Sequence, residues 1–154
     1  MPSNFPLFSL LAIVASQATF GCAAVMSYVG NWQSSTYLNG ASQACYDGDG
    51  IVYVAAYYED GITAIDVSNP ASPTYKGHYH LSTYMDGALG CYYDADRSYV
   101  YVTAAVRDTL TVLDVANPAS IAFVGYIRAT TLLDSAQHIE YNADVRFHRL
   151  LPTE

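Results

Sequence analysis

An all-β fold assembled from repeated four-stranded units is predicted by three observations. The stretch Asp66-Val67-Ser68-Asn69-Pro70-Ala71-Ser72 returns 48 residues later as Asp114-Val115-Ala116-Asn117-Pro118-Ala119-Ser120, identical at six of seven positions. At the same spacing, Ile51-Val52-Tyr53-Val54-Ala55-Ala56 matches Tyr99-Val100-Tyr101-Val102-Thr103-Ala104, and Gly61 to Val67 matches Thr109 to Val115. Inside each copy the alternation has period two, which selects strands over helical solenoids.

Each copy resolves into four strands. In the first they lie near residues 41–47, 51–58, 61–67 and 74–80; in the second, near 88–94, 99–106, 109–115 and 122–128. Tyr, Val, Ile and Thr dominate them, as a pleated, half-buried surface favours. The first strand of each copy runs into Asp47-Gly48-Asp49-Gly50 or Asp94-Ala95-Asp96, ordinary hairpin chemistry. Here the register slips: Gly40-Ala41 and Tyr46-Asp47 match Gly87-Ala88 and Tyr93-Asp94 at a spacing of 47, so one residue is inserted before Tyr99. The third strand ends at Asp66 or Asp114, whose carboxylates are placed to accept bonds from turn amides. Asn69 and Asn117 favour the reversal, and Pro70 and Pro118 stop the strand. The fourth strand carries Tyr75-Lys76-Gly77-His78-Tyr79 in one copy and Phe123-Val124-Gly125-Tyr126-Ile127 in the other. Four strands in some forty residues make one β-propeller blade.

Partial copies flank the two blades. Tyr28-Val29-Gly30-Asn31-Trp32 repeats the Tyr75 segment, so residues 26–33 read as a fourth strand. Ser135-Ala136 and Tyr141-Asn142-Ala143-Asp144 repeat the opening of a blade, so 136–142 and 145–150 read as first and second strands. The predicted organisation is a leader over 1–25 and a propeller repeat domain over 26–150, with blades near 41–80 and 88–128. The apolar run Leu7 to Ala15 has signal-peptide length but no Lys or Arg before it, and it is too short to cross a membrane. Its rival reading is a third strand, because Leu11-Ala12-Ile13-Val14-Ala15-Ser16-Gln17 resembles Thr63 to Asn69.

The pattern Tyr-Val-Tyr-Val-(Ala/Thr)-Ala, then Asp60-Gly61-Ile62-Thr63-Ala64-Ile65-Asp66-Val67-Ser68-Asn69-Pro70-Ala71-Ser72-Pro73, then an aromatic-x-Gly strand, resembles the LVIVD repeat. The resemblance covers 40–128 well and 26–33 and 135–144 in part. It implies a β-propeller of a kind found mainly in secreted and cell-surface microbial proteins, and it says little about activity. The second copy departs from the pattern at Ile121 in place of Pro73 and at Thr109 in place of Gly61.

Two blades cannot close a ring. Strands one and two at one end are complementary to strand four at the other, joined by strand three under the rival reading of the leader, so between chains they complete a third blade. Two such chains make a six-bladed ring; joining that fails to close makes a filament. The competing reading is a fragment of a longer propeller protein.

Composition bounds the chemistry. A 154-residue chain with 52% hydrophobic and 13% charged residues supports a real core. A net charge of −8 with only six Lys and Arg argues against nucleic acid as a partner. Cys22, Cys45 and Cys91 lack metal spacing and basic neighbours. His78 and His80 share a strand face able to bind a metal or a sugar, but exposed polar positions are the expectation, since no third ligand follows. His138 and Glu140, on an inner first strand near the axis, form the pair expected to bind a ligand or, in the rival reading, to anchor an axial active site. No catalytic residue, metal or cofactor is assigned. The expected function is a secreted or cell-surface module without catalysis, binding a protein, a glycan or copies of itself, with no integral membrane span.

Overall fold

The computed structural model describes residues 9–13, 28–142 and 145–148; the rest of the predicted leader and the edges of the partial blades (26–27 and 149–150) lie outside them. The strands are β1 (Ser9–Ile13), β2 (Tyr28–Gln33), β3 (Ala41–Tyr46), β4 (Ile51–Ala56), β5 (Gly61–Asp66), β6 (Thr74–His80), β7 (Ala88–Asp94), β8 (Tyr99–Ala104), β9 (Thr109–Asp114), β10 (Ala122–Arg128), β11 (Glu140–Asn142) and β12 (Val145–His148). One helical turn, α1 (Ser82–Met85), interrupts them. Two four-stranded antiparallel sheets, β3-β4-β5-β6 and β7-β8-β9-β10, are the two blades, flanked by the pairs β1-β2 and β11-β12. The chain is all-β, and its repeats are propeller-like.

The two sheets are separate and stack face on face. Alternate residues of β4 and β5 divide between two surfaces. Ile51, Tyr53, Ala55, Ile62 and Ala64 point toward the second blade, where they bury against Val100, Val102, Leu113 and Val115. The opposite surface, Val54 and Ile65 with Val52 and Val67 beside them, packs with Trp32 of β2. Val52, Val54, Ile65 and Val67 are the repeat equivalents of Val100, Val102, Leu113 and Val115. Each blade therefore shows an aliphatic near face to its predecessor and a far face carrying tyrosine to its successor. Aromatic burial fills that seam, and Tyr53 stacks on Tyr93 across it at 5.9 Å.

The outer hairpin repeats residue for residue. In the first blade Ala64 pairs with Gly77 and Ile65 with Tyr75, leaving Lys76 bulged out. In the second, Val112 pairs with Gly125 and Leu113 with Phe123, leaving Val124 bulged. The pair β1-β2 has the same form: Ala12 opposes Gly30 and Ile13 opposes Tyr28, so Val29 takes the bulge. Residues 9–13 are thus paired as a third strand against a fourth, in the register that the repeat dictates.

The glycine beside each bulge has a structural task. A Cβ at Gly30 would collide with the backbone of Pro70 and Ala71, and a Cβ at Gly77 with that of Pro118 and Ala119. The Asn-Pro-Ala turn of each blade is seated on the glycine of the preceding fourth strand. Those turns are held internally: Asp66 accepts from the amide of Ser68 at 3.0 Å and Asn69 from that of Ala71 at 3.2 Å. Asp114 and Asn117 accept from Ala116 and Ala119 at 2.9 and 3.1 Å.

The structure corrects three boundaries. The strand predicted over 136–142 forms only at Glu140–Asn142, because residues 129–136 close into turns through Leu132 N–H to Ala129 O at 3.0 Å and Ala136 N–H to Leu133 O at 3.1 Å. The second strands stop at Ala56 and Ala104, where Tyr57 and Ala105 turn to donate to Gly40 and Gly87. The connection between blades also contains α1, which the strand pattern does not foreshadow.

Gly77→Ala places a methyl group against the Pro118 carbonyl, where only backbone can give way. We expect it to destabilise the chain by about 1–3 kcal/mol, read as a lower denaturant midpoint at unchanged slope. A wild-type midpoint would show that the turn is not seated on this glycine.

Candidate functional site

Three groups of residues stand out by position. The first lies on the innermost strands. Gln43, Gly90 and His138 are repeat equivalents on successive copies. Because Gly90 has no side chain, His138 passes it and its Nδ1 lies 2.9 Å from Gln43 Oε1. That contact requires the tautomer with hydrogen on Nδ1, since an amide oxygen only accepts. Gly90 is also closed to substitution by Thr103 Oγ1, which accepts its N–H at 2.9 Å, and by the backbone of Gln137 and His138. Ser42 donates to Leu89 O at 2.6 Å and Gln43 Nε2 to Cys91 O at 3.2 Å, tying the two inner strands. Ser42, Gln43, Leu89, Gln137 and His138 line an open depression of about 520 Å³. His138 is exposed, Ile139 is buried, and Glu140 is exposed on β11 but does not line the depression. Gln43 is the contributor that sequence reasoning missed; only its equivalence to His138 in the repeat marked it.

The second group surrounds β6. His78 stands outside the expectation of an exposed position: its ring is largely buried, with 13% of the side chain accessible. It stacks on Tyr37 at 4.9 Å, its Nδ1 lies 3.2 Å from Thr63 Oγ1, and its Nε2 lies 3.2 Å from a Glu59 carboxylate oxygen. The last contact is an ion pair in distance but not a well-aligned hydrogen bond, because Nε2 lacks a partner of good geometry. Burial holds the His78 imidazole below its ordinary pKa; the nearby Glu59 carboxylate opposes that shift and His80 adds to it. His80 is exposed, with Nδ1 at 2.5 Å from Glu59 O. Among the described residues no group of three or more His, Cys, Asp or Glu is arranged to hold a metal ion. Asp47 and Asp94 instead accept turn amides, from Asp49 and Ile51 and from Asp96. The Cys45 thiol is pushed well above its ordinary pKa by its hydrogen bond to Cys91 and by burial, which suits packing and not nucleophilic attack.

The third group is the flank of the second blade. Ile51, Tyr53, Ile62 and Ala64 are buried on the far face of the first blade, whereas their equivalents Tyr99, Tyr101, Leu110 and Val112 are only half-buried. Phe123, Val124, Tyr126 and Ile127 on β10 are exposed. No described helix is long and apolar enough to cross a membrane.

Comparison with known proteins agrees with this geometry. The LVIVD repeat matches residues 50–80 and 97–128, spanning strands two to four of each complete blade. No curated protein matches the chain. The crystal structure of a functionally unknown protein from Desulfotomaculum acetoxidans DSM 771 resembles it with a TM-score of 0.57 at 16% identity, over 69% of this chain and 32% of that one. At that identity the likeness concerns the fold alone, and this chain spans about a third of that protein's length.

The buried imidazole gives the fold a pH dependence of definite sign. Its folded pKa lies below the ordinary value of 6.5, so well above 6.5 both folded and unfolded states hold it neutral. As pH falls through 6.5 the unfolded chain takes up the proton first, and stability drops until pH passes the folded value. His78→Phe keeps the ring stack on Tyr37 and removes the proton site. We expect it to flatten the fall in stability between about pH 7 and 5 measured by urea denaturation; an unchanged slope would assign that fall to other groups.

Proposed function

Since residues 50–80 and 97–128 are LVIVD repeats stacked as blades, we propose that the chain is a non-catalytic interaction module that completes its blades with strands from a second copy of itself. One observation carries the reading: the β1-β2 pair reproduces the register and bulge of a blade's third and fourth strands, while β11-β12 occupies the place of a first and second. Neither pair is a blade. Set edge to edge between copies, β11-β12 and β1-β2 supply four strands in the right order, and open edges carry unpaired N–H and C=O groups that favour such pairing. The half-buried flank of the second blade supports the same reading, since a further blade is what buries its equivalent on the first. Two chains joined both ways give a closed ring, and one-way joining gives a filament. A secreted or surface setting suits a module of this kind.

A second reading is favoured by the depression beside Gln43 and His138. Its lining offers a hydroxyl, two amides and one imidazole, a set suited to hydrogen-bonded recognition of a polar ligand such as a glycan. It concerns the axial end of the blades and is compatible with assembly through the flank.

Size-exclusion chromatography with light scattering, run from about 1 to about 100 µM, tests the assembly reading. We expect mass to rise to a dimer or beyond with concentration. A folded chain that stays monomeric throughout would remove it.

A further inference from the structure

Each complete blade is clasped by an aromatic in the link that leads into it. Tyr37, ahead of β3, stacks on Tyr75 of β6 at 5.1 Å. Tyr84, ahead of β7, stacks on Phe123 and Tyr126 of β10 at 5.8 and 3.9 Å. The neighbouring Leu38 and Met85 are fully buried. The repeat places a third link at 129–136, with Leu132 and Leu133 in these two positions.

That third link is already shaped. Leu132 N–H reaches Ala129 O at 3.0 Å and Leu133 N–H reaches the same oxygen at 2.7 Å; Tyr84 and Met85 reach Leu81 O at 3.1 and 2.8 Å. The Ser135 amide reaches Asp108 Oδ1 at 3.4 Å, as the Gly87 amide reaches Asp60 Oδ1 at 3.0 Å. Yet Leu132 is 63% exposed, because the fourth strand it would clasp is not beside it. The equivalent of Tyr75 and Phe123 on the remaining fourth strand is Tyr28 of β2, and it is 68% exposed. One end of the chain shows a clasp without its ring; the other shows a ring without its clasp.

The glycine seats tell the same story. Gly30 and Gly77 each hold the Asn-Pro-Ala turn of the following blade, whereas a Cβ at Gly125 would meet nothing within 4 Å. Gly125 has no positive φ, so neither backbone conformation nor internal packing demands a glycine there.

We propose that Leu132 and the Gly125 seat form the docking site for the β1-β2 hairpin of a second copy. Leu132 covers Tyr28 of that copy, and the backbone of its hairpin lies against Gly125. The occupant is a second copy because the site demands a third-to-fourth-strand hairpin bearing an aromatic ahead of its bulge and glycine, and β1-β2 has that form in matching register. The inference rests on the assembly reading above and names its contacts.

The test uses the full chain. Leu132 is exposed and a side chain at the half-buried Gly125 meets open space, so circular dichroism and melting of dilute Leu132→Asp and Gly125→Val should match wild type. We expect each to weaken self-association at least about tenfold by analytical ultracentrifugation. Leu132→Lys should weaken it likewise, and adding Tyr28→Glu to it should restore part of the loss. If wild type associates and the variants do so equally tightly, the docking site is wrong while assembly stands. If Leu132→Lys weakens association and Tyr28→Glu deepens the loss, the pairing of Leu132 with Tyr28 is wrong. A wild type that never associates overturns both.

Discussion

The face-to-face seam between blades is the contact on which the rest of the structure depends. Its two sides differ chemically: valine and leucine on the near face of β8 and β9, tyrosine, isoleucine and alanine on the far face of β4 and β5. A blade cannot bury its own two faces, since its four strands lie in one sheet. It gains its stability by lending the near face to one neighbour and the far face to another, as repeat architectures do. Because the faces are unlike, stacking has a direction. That direction makes any joining of the two ends heterologous, the geometry that yields rings or filaments.

Much of this was legible in the residues. The spacing of 48 fixed the phase of both blades, and period-two alternation placed eight strands to within a residue or two at their ends. The alignment of Leu11-Ala12-Ile13 with Thr63-Ala64-Ile65 carried enough information to give the β1-β2 register, bulge included. What stayed hidden has a common cause. Tyr37, Tyr84 and Leu132 sit in links with no periodicity, so nothing in the pattern says that they fold back on a strand. His78 was legible as sharing a face with His80, but alternation does not say which face is covered, and Tyr37 covers that of His78. The inner strand predicted from 136 begins at Glu140, and the last turn of the third link holds Ala136 through its N–H to Leu133 O.

The two candidate sites differ in chemistry because they differ in position. On the inner strands repeat equivalents lie side by side, so the position occupied by Gln43, Gly90 and His138 becomes a polar cluster whose composition varies from copy to copy. The flank keeps one feature constant: the glycine beside each bulge recurs as Gly30, Gly77 and Gly125.

An exposed far face ordinarily invites unselective aggregation. Two features would make the proposed contact selective. The link at 129–136 holds its turn before any partner arrives, so little conformational entropy remains to be lost on docking. The open space at Gly125 leaves room for a backbone to approach as closely as that of Pro118 approaches Gly77. A surface that is apolar in area but demanding in shape separates its own hairpin from other strands by steric rejection as much as by attraction. Under the proposed assembly, the bulge and the glycine beside it, repeated three times in one chain, serve as an address shared by the blades.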